Sequence, residues 1–138
     1  MNKKILNTEL DLNFHLVAIT THLKGYKLCF LINRFLNMGF ERMELDYCIA
    51  YPGAVTKFFS QFYFKNNSES EFYIFANKGA EGVLIPELKE IDFIMLLKNY
   101  YDTQELATIL EALKQIKEIQ ATMQVSPKKL KSKENLIF

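Results

Sequence analysis

Phe58-Phe59-Ser60-Gln61-Phe62-Tyr63-Phe64, then Asn66-Asn67-Ser68-Glu69-Ser70, then Phe72-Tyr73-Ile74-Phe75-Ala76: residues 58–76 set two aromatic-rich runs on either side of a polar stretch. Aromatic and β-branched residues fit the pleated surface of a strand, whereas Asn and Ser favour turns, so the stretch reads as an antiparallel hairpin. Successive side chains of a strand point to opposite faces. That puts Phe58, Ser60, Phe62 and Phe64 on one face and Phe59, Gln61, Tyr63 and Lys65 on the other, with the first face the greasier.

Toward the N-terminus, Tyr51-Pro52-Gly53 marks a turn, and a strand is expected over about Phe40 to Ile49. Before it, Leu28, Leu31, Ile32, Phe35 and Leu36 recur at helical spacing, with Lys24, Lys27, Arg34 and Asn37 on another side. This predicts a helix starting at Thr21 or His22 and stopping at Gly39, which tolerates a left-handed backbone. Phe14 to Thr20 is short, apolar and β-branched, a buried strand.

Toward the C-terminus, Asn77 to Glu81 reads as loop, and Ile85-Pro86-Glu87 leads to a strand at Ile91 to Leu97. Asp102 as N-cap with Glu105 three positions on predicts a helix carrying Leu106, Ile109, Leu110, Leu113 and Ile116. A last strand covers Ile119 to Val125, and Ser126-Pro127 is placed to start a short tail helix. The order β-α-β, hairpin, β-α-β predicts one α+β domain over residues 1–138. Its expected form is a ferredoxin-like, antiparallel-dominated sheet with two helices on one face.

The chain has 138 residues, 49% hydrophobic and 24% charged, the balance of a folded globular protein. Its net charge of +1 is uneven. Lys128, Lys129, Lys131 and Lys133 against Glu134 give the tail 126–138 a net +3, which leaves −2 for the rest of the +1 total. A near-neutral body argues against a protein built mainly to grip nucleic acid. No stretch is apolar enough for a membrane span, and Met1-Asn2-Lys3-Lys4 runs into polar residues, so a cytoplasmic location is expected. Cys29 and Cys48, without CxxC spacing, read as small core hydrophobes.

Ile85-Pro86-Glu87-Leu88-Lys89-Glu90-Ile91-Asp92-Phe93 resembles the signature of the bacterial IPExxxVDY family, and Leu130 to Phe138 resembles that family's C-terminus. The Leu16-Val17-Ala18-Ile19 strand, the Tyr26 to Leu36 helix and Ala76-Asn77-Lys78 are similar to it as well. The resemblance implies no assigned reaction, cofactor or catalytic residue. Ile91 and Phe93 stand where the signature has valine and tyrosine, and the second replacement removes a hydroxyl. A motif that works without that hydroxyl looks more like packing around a fixed turn than like catalytic apparatus.

Among the acids, Glu87 and Asp92 stand out, because a carboxylate in an apolar strand needs a partner. Arg34 or Arg42 is positioned to supply a bidentate one, or backbone amides a cap; ligand binding or acid–base work is the alternative. His15 and His22 lack metal-site spacing, and Gly79-Ala80-Glu81-Gly82 lacks that of a phosphate loop, so no metal or cofactor is expected. Leu136-Ile137-Phe138 gains nothing from exposure to water. It is expected to dock on its own domain, or in a groove or sheet edge of a second copy or another protein.

These features point to a non-enzymatic interaction or regulatory module with a protein partner or as a homodimer. Its recognition surface is expected to combine the aromatic hairpin with Leu136, Ile137 and Phe138. The alternatives are a small-ligand sensor using Ile85, Pro86, Glu87, Ile91, Asp92 and Phe93, and an RNA-associated factor acting through the tail lysines. The hairpin lacks the glycine-punctuated run of an RNA-recognition sheet, which weighs against nucleic acid.

Overall fold

Three strands carry apolar side chains on both faces, which is the pattern of strands covered from two sides: β1 (Phe14–Thr21), β6 (Glu71–Ala76) and β9 (Phe93–Lys98). In the computed structural model, which describes residues 14–98 and 103–136, they form the middle of one sheet. With β2 (Glu41–Arg42), β5 (Gln61–Lys65) and β10 (Ile119–Val125) the sheet has six strands in the order β10-β1-β9-β6-β5-β2. Every pairing is antiparallel, and one register line runs Gln124, Val17, Met95, Ile74, Phe62, Arg42 across it.

The helices α1 (Gly25–Leu36) and α2 (Thr103–Lys114) lie on the same face. Their Leu28, Cys29, Ile32, Leu106, Ile109 and Leu113 pack on Val17, Ile19, Phe62, Ile74 and Met95. The opposite face, built from Phe14, Leu16, Phe75, Ile94 and Leu96, is covered by no helix of that length among the described residues. Leu84 and Ile85 from one loop, and Leu130 and Leu136 from the C-terminal tail, close it. The chain is thus α+β with an antiparallel sheet, as its order of elements predicts.

Several boundaries differ from expectation for identifiable reasons. Thr21 is still strand: its N–H is held by Asp92 and its hydroxyl bonds the Glu118 carbonyl, so α1 starts only at Gly25. There the helix approaches the sheet so closely that a Cβ would stand 2.8 Å from the Phe62 ring. The helix ends at Asn37, which takes the left-handed conformation (φ 56°) before Gly39 is reached. The strand expected over 40–49 splits. Glu41, Arg42, Glu44 and Asp46 break the apolar alternation, so only β2 joins the main sheet, while β3 (Tyr47–Ile49) pairs with β4 (Lys57–Phe59) in a separate ribbon.

The first hairpin run breaks in the same way at Ser60, between β4 and β5. The expected alternation holds from Phe59 onward and fails for Phe58, which is exposed. Phe62 joins the helix-side core, with Phe64 packed against it, and Phe59 joins the other, so both faces are apolar and not one. Strand β9 begins at Phe93, leaving Ile91 and Asp92 in the preceding corner. β7 (Lys78–Gly79) and β8 (Gly82–Val83) make a tight hairpin of the Gly79 to Gly82 segment. The tail helix is a single 3₁₀ turn, Pro127–Lys129, with no side-chain cap from Ser126. The expected cap at Asp102, the opening Met1 to Lys4, and Ile137 and Phe138 lie outside the described residues.

Candidate functional site

Asn77, at the end of β6, is fully buried, and all of its polar groups are used. Its side-chain carbonyl accepts the Ile85 N–H (2.9 Å), and its amide donates to the carbonyls of Leu88 (2.8 Å) and Ile91 (2.9 Å). Its backbone bonds Asp92 and Leu84. A buried amide so placed ties the whole Leu84 to Asp92 corner to the sheet. Ile85 is fully buried on the tail-side face, Pro86 opens a 3₁₀ turn (Pro86–Leu88), and Glu87 projects outward from it.

Glu87 meets the tail. Its Oε2 accepts the Ser132 N–H (2.7 Å) and its Oε1 accepts the Ser132 hydroxyl (2.8 Å). On either side, Leu130 and Leu136 are buried in the sheet face. Between them Asn135 donates to the Leu84 carbonyl (2.9 Å), while the Tyr47 hydroxyl donates to the Asn135 backbone carbonyl and the Tyr51 hydroxyl to its side-chain oxygen. Burial, with the neighbouring Tyr51, pushes Tyr47 up to about 12, so it remains a donor at any ordinary pH. The two segments that stand out in the sequence, motif and tail, therefore form one clasp. Leu136 docks on its own domain.

Burial acts to raise the Glu87 carboxyl. The bonds from the backbone and hydroxyl of Ser132, and then from the backbone N–H groups of Glu87 and Lys131, outweigh it and hold the group below its usual 4.5. A carboxyl depressed on folding stabilises the fold above its unfolded value, and that contribution is lost as pH falls through the folded value. Urea midpoints of the wild type and Glu87→Gln are accordingly expected to differ at neutral pH and to converge on acidification below the usual carboxylate range.

Asp92 serves the other end of the corner. Its Oδ2 accepts the Thr21 N–H (2.9 Å), and its Oδ1 pairs with Lys78 Nζ at 3.0 Å. The cation is a lysine and neither arginine: Arg34 lies over the Phe30 ring and Arg42 pairs with Asp46. Phe93 is buried in the helix-side core, and Ile91 packs against the tail-side one. The six motif residues thus hold a corner together and do not converge on a common point in space.

Two shallow grooves flank the clasp. One, of about 300 Å³, is lined by Glu87, Leu88, Lys89, Glu90, Ile91 and Met123. The other, of about 270 Å³, lies between the Tyr47 to Tyr51 segment and Glu134 and Asn135. Beside the second, the β3–β4 ribbon turns Tyr47 and Phe59 inward and Cys48 and Phe58 outward, so Cys48 is exposed and not the core hydrophobe expected, because it falls on the solvent side of the strand alternation. Leu45 (79% exposed), Val55 (67%) and Phe58 (53%) are left in solvent along residues 45–58.

Burial pushes the Cys29 thiol up to about 12, which removes it as a nucleophile at neutral pH. Among the described residues no group of three His, Cys, Asp or Glu side chains is arranged to hold a metal, and no helix is long and apolar enough to cross a membrane. Sequence reading missed Asn77 as the organiser of the corner, Ser132 and Asn135 as its contacts in the tail, and the exposed side chains of the Leu45 to Phe58 segment. Only the Asn77 to Lys78 step directly after a strand carried a signal. No protein-family model matches the chain, and no curated protein matches it.

Proposed function

We propose that this chain is a non-catalytic protein-interaction module that binds another protein through the Leu45 to Phe58 ribbon and the adjoining end of the tail. The exposed Leu45, Val55 and Phe58 carry this reading, since large apolar side chains left in solvent on a segment that also borders a groove are a feature of binding surfaces. The commitments of Glu87 and Asp92 to Ser132, Thr21 and Lys78 support it, because both carboxylates are engaged in holding structure. The same residues carry the resemblance to the IPExxxVDY proteins, and in this reading their role is architectural. We further read strands β10-β1-β9-β6 with the two helices as a ferredoxin-like core, extended by β5 and β2. The free Cys29 and Cys48 fit a reducing, cytoplasmic setting.

The test is the double variant Val55→Asp/Phe58→Asp. Both positions are exposed, so its circular dichroism and melting temperature should match the wild type. A partner cross-linked to the wild type and remade from purified components should bind the variant at least about tenfold more weakly. Equal binding contradicts the reading. The groove beside the motif favours a second reading, a small-ligand sensor, which a metabolite thermal-shift panel with Glu87→Gln and Asp92→Asn controls would distinguish.

A further inference from the structure

We propose that the outer face of α1 docks an acidic amphipathic helix of a partner protein. α1 buries Leu28, Cys29 and Ile32 against the sheet. At roughly 3.6 residues per turn, Lys27, Phe30 and Arg34 then form one ridge on the opposite side, with Tyr26 beside it. All four residues are exposed, and the two aromatic ones keep more than half of their surface in water. A single exposed ring is ordinary, but two on one helix, interleaved with cations, mark a binding surface. The charge on this face is also one-sided. Residues 14–40 hold Lys24, Lys27 and Arg34 and no Asp or Glu, a net of +3 against +1 for the whole chain. Among the described residues none of the three forms an ion pair. Arg34 lies over the Phe30 ring, 5.6 Å from its centroid, which holds the guanidinium at the surface and leaves its fork for a carboxylate.

The size of the charge selects the occupant. Anionic lipid is held by basic clusters of about four to eight residues, and a firm grip on nucleic acid involves about six to ten phosphate contacts. Three cations on the convex side of a helix suffice for neither. They match a protein segment that brings two or three carboxylates, together with apolar side chains to cover the rings. Along α1, Lys27 and Arg34 are separated by about 10.5 Å of helix rise. Carboxylates at i and i+7 of a second helix laid alongside have the same separation, and leucines at i+3 and i+4 of that helix then meet Phe30 and Tyr26. α2 of a second copy offers no such ridge, because its exposed Glu111 is paired with Lys114. The complementary chemistry is therefore that of another protein.

This surface goes beyond the proposed ribbon contact and does not depend on it: α1 belongs to the helix-side core, whereas Tyr47 and Phe59 of the ribbon belong to the tail-side one. The probe is an alanine-based helical peptide with Glu at i and i+7 and Leu at i+3 and i+4, titrated into the isotope-labelled full chain. Amide shifts should centre on residues 24–37, and binding should weaken as salt is added. Lys27→Glu/Arg34→Glu should keep the wild-type melting temperature and raise the dissociation constant at least about tenfold, as should Tyr26→Ala/Phe30→Ala. The same peptide with Lys in place of both Glu should fail to bind the wild type and should bind Lys27→Glu/Arg34→Glu. Phe58→Asp should leave all of this unchanged. The proposal is overturned if the acidic peptide does not bind, if shifts centre elsewhere, or if charge reversal fails to switch the preference. Loss of binding in Phe58→Asp, or tighter binding of oligouridine or of phosphatidylserine vesicles to the same face, overturns it equally.

Discussion

Replacing Asn77 by alanine is expected to destabilise the chain by about 2–4 kcal/mol, since a buried group left without its partner costs about 1–3 kcal/mol and two are orphaned together. These are the Ile85 N–H and the Ile91 carbonyl, while the Leu88 carbonyl keeps its bond from the Ile91 N–H. For a domain of this size that is a fall in melting temperature of about 10 °C. Asn77→Asp is nearly isosteric and retains an acceptor for Ile85, but it sets an acceptor against two carbonyls. It should lose as much as alanine. Urea unfolding of both variants checks this, and a loss below about 1 kcal/mol in either would show that the corner is held by packing alone.

Leu136→Ala and Leu130→Ala are each expected to lose about 2–3 kcal/mol. That is the lower part of the range for buried leucine, because a segment of short 3₁₀ turns can relax into the space left behind. Truncation after Lys129 removes both anchors and should uncover Phe75, Ile94 and Leu96. The shortened chain should then bind a hydrophobic dye that the full chain excludes. Full-length stability without the tail, and no dye binding, would mean that the tail lies on the sheet without contributing to its cover.

Residues whose partners lie within one element were legible in the sequence. The helices follow from Leu28 and Ile32, and from Leu106, Ile109 and Leu113, because their period is a local property. The central strands follow from runs such as Phe93 to Leu97 that are buried on both sides. The split of residues 40–49 was less legible. Phe40 and Tyr47 look alike as strand residues, yet they end in separate cores because charged residues between them leave no continuous face.

The candidate site was legible only as two unrelated segments. Glu87 and Ser132 are 45 positions apart, and nothing in either neighbourhood encodes the other. Asp92 announced a need for a counter-ion, but which cation answers it depends on the β6–β9 pairing that brings Lys78 alongside. Asn77 was concealed by its chemistry, since asparagine after a strand is ordinarily a turn residue and is seldom fully buried. The exposed ribbon was only partly legible: Phe58 reads as sharing a face with Phe62, yet it is exposed and Phe62 buried, because the two lie in different strands on either side of Ser60.

The clasp gives the proposed module its form. The motif is braced by Asn77 and Asp92, the tail is held by Glu87, and the tail in turn abuts the segment that carries the exposed apolar side chains. The most direct test is a double-mutant cycle in urea at neutral pH with Glu87→Gln, Ser132→Ala and the pair together. The predicted coupling is about 1 kcal/mol, a value already reduced for the solvent exposure of the contact. Additive losses, within about 0.3 kcal/mol, would show that motif and tail stabilise the chain separately and that no clasp joins them.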